Sequence, residues 1–273
     1  MEEKQLTMHF IRMLVARSLD VLVSFIPISI AKSFEWRIQK VQGKGIGYGS
    51  LSSEIQTILY FLQKIGLENP IIFDVGANEG QYARECISQN PAAVVHSFEP
   101  SSTAFSILQN NSHEYPNWFV HNIGLGSSPS TMKLYFDSPG SASASLVKKE
   151  DVIGVTQTHD FELVVIQTLN DFISTNQNLI PDVLKIDIEG FELNCLQGSL
   201  DYLHSIKVVQ FEFGQINIDS RVFFRDYWNF FSERGFSIFR VTTKNPLRIE
   251  KYSEDLETFA VTNYIALNSR YFE

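Results

Sequence analysis

Three carboxylates, Asp74, Glu99 and Asp187, each close an apolar run of this sequence. Asp74 ends Ile71-Ile-Phe and opens a glycine-bearing turn, Val75-Gly-Ala-Asn-Glu-Gly80. Glu99 ends the run from Ala92 to Phe98. It falls about 20 residues beyond the turn, where an acid meets ribose hydroxyls in nucleotide-binding β-α-β units. Asp187 ends Val183 to Ile186 and precedes Ile188-Glu-Gly190. In open α/β sheets, ligands bind outside the carboxyl ends of strands, near the point where strand order reverses. The three acids are therefore expected to converge on one crevice.

The turn itself narrows the ligand. Gly76 and Gly80 let backbone approach a bound molecule, and the helix expected from Gln81 presents free N–H groups. The spacing is not the dinucleotide G-x-G-x-x-G. Asn78 stands near the missing middle glycine, and Glu79 adds negative charge where two phosphates would sit. A ligand with a ribose but no phosphate fits better, and S-adenosylmethionine is such a molecule.

Asp187 has the chemistry of a general base for a hydroxyl that attacks a methyl group. Lys185 alternates with it along the strand, so the two share a side. Lys185 then either pairs with a carboxylate or orients substrate. Glu189 follows Asp187, and Glu212 lies near the end of the 206–213 run, at the expected rim. The oxygens of Asp187, Glu189 and Glu212 also suit Mg²⁺, which stays an alternative; no residue is assigned as a metal ligand. A blander role for Asp187 and Glu189 is to cap the helix that follows Gly190.

The bulk numbers exclude several classes. The 273 residues carry a formal net charge of −9, 44% hydrophobic and 19% charged residues, with 22 Phe and 10 Tyr. No basic stripe offers itself to a nucleic-acid backbone. Two cysteines, Cys86 and Cys195, do not make a disulfide scaffold, so a reducing cytoplasm is expected. None of the six histidines, His9, His96, His113, His121, His159 and His204, shows a repeated metal spacing. His96 reads as a core residue, and His121 and His159 as candidates for the crevice rim. The start, Met-Glu-Glu-Lys, lacks a secretory signal's charge pattern. Val21 to Ala31 is apolar but short and holds Pro27, so membrane-surface contact or packing is expected there, not a span.

These pieces set an organisation. Residues 1–68 read as a helical extension, with helical spacing at Phe10, Met13, Leu14 and Val21 and again over 54–65. Residues 69–273 read as the catalytic domain. Strands are expected at 70–75, 93–98, 117–122, 182–187, 206–213, 236–241 and 259–267. Helices are expected at 80–90, 101–112, 168–175, 190–203 and 222–234. Alternation of this kind means a mainly parallel sheet with helices on both faces. No helix separates the last two strands, so the last of seven is expected to return antiparallel. Ser138 to Ser145 is small and polar, either a linker or a substrate loop.

Together the motifs resemble the FkbM family of S-adenosylmethionine-dependent methyltransferases. The resemblance rests on Phe73-Asp-Val-Gly-Ala-Asn-Glu-Gly-Gln-Tyr82, Phe98-Glu-Pro100, Asn122-Ile-Gly-Leu-Gly126 and Leu184-Lys-Ile-Asp-Ile-Glu-Gly-Phe-Glu192. It implies the Rossmann-like class I methyltransferase fold. It implies that Asp74, Gly76, Ala77, Asn78, Gly80 and Tyr82 border the methionine part of the cofactor. Glu99 would take both ribose hydroxyls, Pro100 and Ser101 would lie near the adenine, and Asn122 and Gly124 would close its edge. Asp187 and Glu189, with Lys185, would face the acceptor. Family members mostly resemble O-methyltransferases, so the implied acceptor is a hydroxyl of a sugar, glycan or secondary metabolite. Asn170 departs from the family's acid after Thr-Leu, with Asp171 beside it. The rival readings are an NAD-dependent oxidoreductase and a non-catalytic Rossmann-like scaffold.

Overall fold

The computed structural model describes residues 25–45, 51–148, 160–242 and 245–272. The helix expected around Phe10 to Val21, and His9 and His159, lie outside the described residues. The chain divides into two compact units, 1–42 and 43–273. In the first, a helix spans Ile28–Val41 behind Pro27. Proline's fixed φ, here −55°, suits a helix start. Lys40 Nζ sits 4.0 Å from the Trp36 ring centre, one turn away. No helix among the described residues is long and apolar enough to cross a membrane.

The second unit carries strands β1 (Ile71–Val75), β2 (Val94–Phe98), β3 (Trp118–His121), β4 (Gly124–Leu125), β5 (Ser130–Phe136) and β6 (Asp160–Gln167). It continues with β7 (Val183–Ile186), β8 (Val208–Phe213), β9 (Phe236–Arg240), β10 (Leu247–Ile249) and β11 (Thr262–Asn268). Eight of them form one sheet in the order β10-β9-β11-β8-β7-β1-β2-β3. The pairs of β1 with β2 and β7, of β2 with β3 and of β7 with β8 are parallel. β11 runs antiparallel to both β8 and β9, as expected of the last strand. The chain builds outward from β1 to β3, then crosses back to place β7 on the other side of β1. The strand order therefore reverses at β1, and the crevice opens there.

Both faces of this sheet are covered, which is why its strands read as apolar runs. Alternate residues feed opposite cores. Ile72, Val95, Val183 and Val208 pack with the helices Leu51–Lys64 and Gln81–Gln89 through Ile58, Leu62, Tyr82 and Cys86. Phe73, Phe98, Leu184 and Phe211 pack with the helices Leu169–Thr175, Glu192–Gln197 and Phe224–Ser232. Phe211 illustrates the second core, stacked on Tyr227, Phe231 and Tyr264 at centroid distances of 4.9, 5.1 and 5.5 Å. The helix Leu51–Lys64 is thus part of the covered sheet, within the unit that begins at Gly43.

Three features differ from the sequence expectation. The sheet has eight strands, not seven, because β10 adds an antiparallel edge beside β9 where only a polar connection was expected. A separate three-stranded sheet, β4-β6-β5, follows β3. Its own small core is Leu134, Val164 and Ile166. The helix expected over 190–203 is two, Glu192–Gln197 and Leu200–Leu203. Ser199 marks the break, its Oγ donating to Leu196 O at 2.6 Å, a local bond that competes with helix continuation.

His96 and His121, one on β2 and one on β3, face each other inside an aromatic cluster. His96 Nδ1 and His121 Nε2 are 3.1 Å apart, so one ring donates to the other. Phe119, Phe98 and Phe172 enclose them. His121 is therefore paired inward, not on the crevice rim. Burial holds both imidazoles down at about 4, against an ordinary 6.5, with His121 adding to the effect on His96. Below about 6.5 the unfolded chain gains protons that the folded chain refuses, so this pair lowers stability as pH falls from 6.5 towards 4. The double variant His96→Phe/His121→Phe should gain stability relative to wild type between pH 7 and pH 5 in urea unfolding. A difference that stays constant with pH would show that the pair does not titrate this way.

Candidate active site

The turn after β1 is pinned to β2. Gly76 and Ala77 N–H both donate to Phe98 O, at 3.0 and 3.1 Å. Gly76 has φ +80°, and a Cβ there would stand 1.9 Å from Asp187 O, so only glycine allows the two strand ends this approach. Gly80 has φ +86°, and its Cβ would meet the Trp118 ring at 2.3 Å. Asn78 sits between them at φ +47°, a region asparagine tolerates.

That conformation aims the Asn78 N–H at Glu99 Oε2, 2.8 Å away, while Ser101 N–H donates to Oε1 at 2.8 Å. Glu99 is buried, and burial pushes its carboxyl up to about 7 against the pull of those two N–H groups. Asn122 Nδ2 donates to Glu99 O at 2.9 Å and to Pro100 O at 3.2 Å, clamping the chain behind the acid. Ser101 Oγ is buried with no hydrogen-bond partner among the described residues. Phe98, Glu99, Pro100, Gly124 and Leu125 line a narrow cavity of about 50 Å³, whose other wall includes Ser141, Ala142 and Ala144.

Lys185 occupies the strand junction. It lies opposite Asp74 in the β1–β7 register. Its Nζ meets Asp74 Oδ1 at 2.9 Å, donates to Gly76 O at 3.1 Å, and stands 3.8 Å from Asp187 Oδ2. Burial opposes its charge, but Asp74 and Asp187 overcome that and hold its pKa above the ordinary value. The Asp74 side chain is fully buried, whereas Asp187 is 45% exposed and faces the cleft. Asp187 N–H donates to Val75 O at 3.0 Å, which fixes it at the end of β7.

Glu189 has φ +53°, and its carbonyl accepts from Ser145 Oγ at 2.6 Å. The small polar loop is thereby tied to the site, and Ala142 lines both cavities. The turn into the helix after Gly190 is held by Glu192, which the sequence reading did not single out for this role. Glu192 Oε1 accepts from Ile188 and Gly190 N–H at 3.0 and 3.1 Å. Asp171 likewise serves its own helix, accepting from the capping Thr168 hydroxyl at 2.7 Å. Glu212 reaches the rim as expected. Burial first, then Asp187 and Glu189, push its carboxyl to about 9.

A larger cavity of about 230 Å³ opens on the other side of the turn, walled by Asn78, Tyr82, Lys185, Asp187 and Glu212. With the narrow one it lies just under the ~300 Å³ at which small-molecule sites begin. Its wall includes three residues that sequence reasoning missed: Glu54, Gln210 and Asn263. One signal existed, since Glu54 is an acid in the stripe that buries Ile55, Ile58 and Leu62. No group of three or more His, Cys, Asp or Glu among the described residues is arranged to hold a metal ion.

A mainly parallel sheet whose strand β11 returns antiparallel between β8 and β9, a glycine turn after β1 and an acid closing β2 together define the class I methyltransferase architecture. Residues 74–238 match the family model described as the methyltransferase FkbM domain, and the chain belongs to that family. It is 27% identical over 176 residues to a protein of Haloferax volcanii named hexuronic acid methyltransferase AglP, covering 64% of each chain. It is 27% identical over 146 residues to methyltransferase 1 of Beauveria bassiana, covering 48% of this chain and 59% of that one. The chain thus spans less than two thirds of either relative. Among solved structures it is similar to magnesium protoporphyrin IX methyltransferase of Synechocystis PCC 6803 with bound S-adenosylmethionine. That likeness has 12% identity and a TM-score of 0.43, over 87% of this chain and 91% of the other.

The buried ion pair generates a stability prediction. Lys185→Met leaves the Asp74 charge uncompensated in the sheet centre and should cost about 3–5 kcal/mol. Asp74→Asn added to it should restore more than half of that loss in urea unfolding. Simple additivity of the two changes would show that they are not coupled.

Proposed function

We propose that this protein transfers a methyl group from S-adenosylmethionine to a hydroxyl of a small-molecule or glycan acceptor. The observation that carries this reading is Glu99, buried at the end of β2 and aimed by two N–H groups across the glycine turn. Each of its oxygens keeps a lone pair for a ribose hydroxyl. The unpartnered Ser101 hydroxyl and the backbone left open by Gly76 fit the rest of such a nucleoside. Pro100, Asn122 and Gly124 form its adenine side. Ala77, Asn78, Gly80 and Tyr82 form its amino-acid side, with Asp74 behind them. The family and the relative named for a hexuronic acid support a sugar-like acceptor.

When bound, the cofactor supplies an electrophilic methyl group on a sulfonium. The chain's own residues do the rest. Asp187 is exposed to the cleft and accepts the proton of the attacking hydroxyl. Lys185 holds Asp187 and the Gly76 carbonyl in place and is not itself a proton carrier, since its charge is locked by Asp74. Glu189 shapes the turn between the two cavities through its backbone. The cavity walls hold acceptor and donor in line, a positioning effect of up to roughly 7–11 kcal/mol for well-oriented reactants.

Calorimetric titration tests the reading directly. S-adenosylmethionine and S-adenosylhomocysteine should bind and NAD should not. Binding of NAD alone would make the protein an oxidoreductase, and binding of none would favour a scaffold. Glu99→Gln should weaken cofactor binding about tenfold or more, the scale of a bond to a charged acceptor. Asp187→Asn should lower kcat by about a hundredfold or more while leaving cofactor affinity nearly unchanged. Equal loss of both would make Asp187 a binding or structural residue.

A further inference from the structure

Beyond Tyr82, the larger cavity ends in a polar network whose other members the reading above leaves unused. Glu54 Oε1 accepts from Asn263 Nδ2 at 2.8 Å, and Oε2 accepts from Gln210 Nε2 at 3.0 Å. Gln210 Oε1 accepts in turn from the Tyr82 hydroxyl at 2.9 Å. The four side chains come from the helix 51–64, the helix 81–89, β8 and β11. A carboxyl gripped by two primary amides cannot swing, yet it keeps further lone pairs for a ligand.

The charge in this cavity is one-sided. Glu54, Glu79, Asp187 and Glu212 line it. The one cation among the described lining residues is Lys185, already committed to Asp74 at 2.9 Å. An acceptor carboxylate would add negative charge to a lining of four acids, where burial already drives protons onto Glu54 and Glu212, and would find no uncommitted cation among the described residues to receive it. A neutral polyol meets no such cost. Its hydroxyl protons find carboxyl oxygens, and its oxygens find amide N–H groups on the same wall. Leaving those groups unmatched would carry the usual desolvation penalty.

We propose that Glu54, Gln210 and Asn263 form the acceptor subsite, and that it selects an uncharged polyhydroxyl ring over the matching uronate. This rests on the methyl-transfer reading. It also separates the chain from the relative named for a hexuronic acid, whose substrate would bring a carboxylate into this wall.

The test uses the full chain, tritium-labelled S-adenosylmethionine and two probes that differ only at one carbon, phenyl glucoside and phenyl glucuronide. The glucoside should be methylated with a kcat/KM at least about tenfold higher, the separation that one like-charge contact near a surface readily gives. Glu54→Gln/Glu79→Gln removes two lining acids, leaves Asp187 in place and should bring the ratio within about threefold of unity. Should that variant not fold, Asn263→Asp adds a charge at nearly constant shape and should widen the ratio instead. Equal or better use of the glucuronide by wild type would overturn the proposal, as would a ratio that neither variant moves. Transfer to neither probe would also overturn it, and cofactor binding in a parallel titration would then leave the methyl-transfer reading standing. Absence of cofactor binding would remove both.

Discussion

The ion pair between Lys185 and Asp74 is the constraint on which the site depends. Taking two charges out of water costs several kcal/mol per ion, and mutual attraction returns it only when geometry is tight. A separation of 2.9 Å and a further bond to the Gly76 carbonyl meet that condition. An apolar pair of similar volume would hold the strands as well or better. What the charges provide is position. They fix the Gly76 carbonyl at the mouth of the turn, which brings its α-carbon against Asp187 O and sends its N–H to Phe98 O. The Asn78 N–H then has one place to point, the Glu99 carboxylate. One buried contact at the strand reversal thus sets both halves of the cleft.

Much of this was legible in the residues. Strands buried on both faces must be apolar, so an acid at the end of such a run stands out, and Asp74, Glu99 and Asp187 did. The turn was legible because few residues adopt positive φ, and Gly76, Asn78 and Gly80 all do. The alternation of Lys185 with Asp187 was visible too, but its partner Asp74 lies on another strand and needed the register. Glu54 and Asn263 are 209 residues apart, and no local pattern links an acid on one helix to an amide on the last strand. The small sheet was missed for a different reason. β5 and β6 are largely exposed or half-buried along their lengths, so their patterns are diluted. In the main sheet β10 escaped because it is only three residues long.

The same desolvation that stiffens the site loads it with protons. Burial raises Glu54, Glu99 and Glu192 to about 7 and Glu212 to about 9. Between 4.5 and about 7 the folded chain therefore holds protons that the unfolded chain has lost. The stability they contribute is complete at the acid end and fades as pH rises, the reverse of the histidine pair. Between 4.5 and 6.5 the two effects oppose each other, and above 6.5 only the carboxyls around the cleft still act.

This proton load bears on what the cleft can hold. A cation and a proton compete for the same carboxyls, since either one relieves the cost of burying negative charge. A positively charged ligand near Glu99 and Glu212 lowers the carboxyls' affinity for protons and expels some as it binds. Its affinity then rises with pH across the range in which Glu99 titrates, near 7. An anion entering the same space meets the opposite linkage and takes protons up. The fold thus favours a cationic donor and an uncharged acceptor through one property, carboxyls held in low dielectric with the one cation among their described neighbours already paired within the sheet.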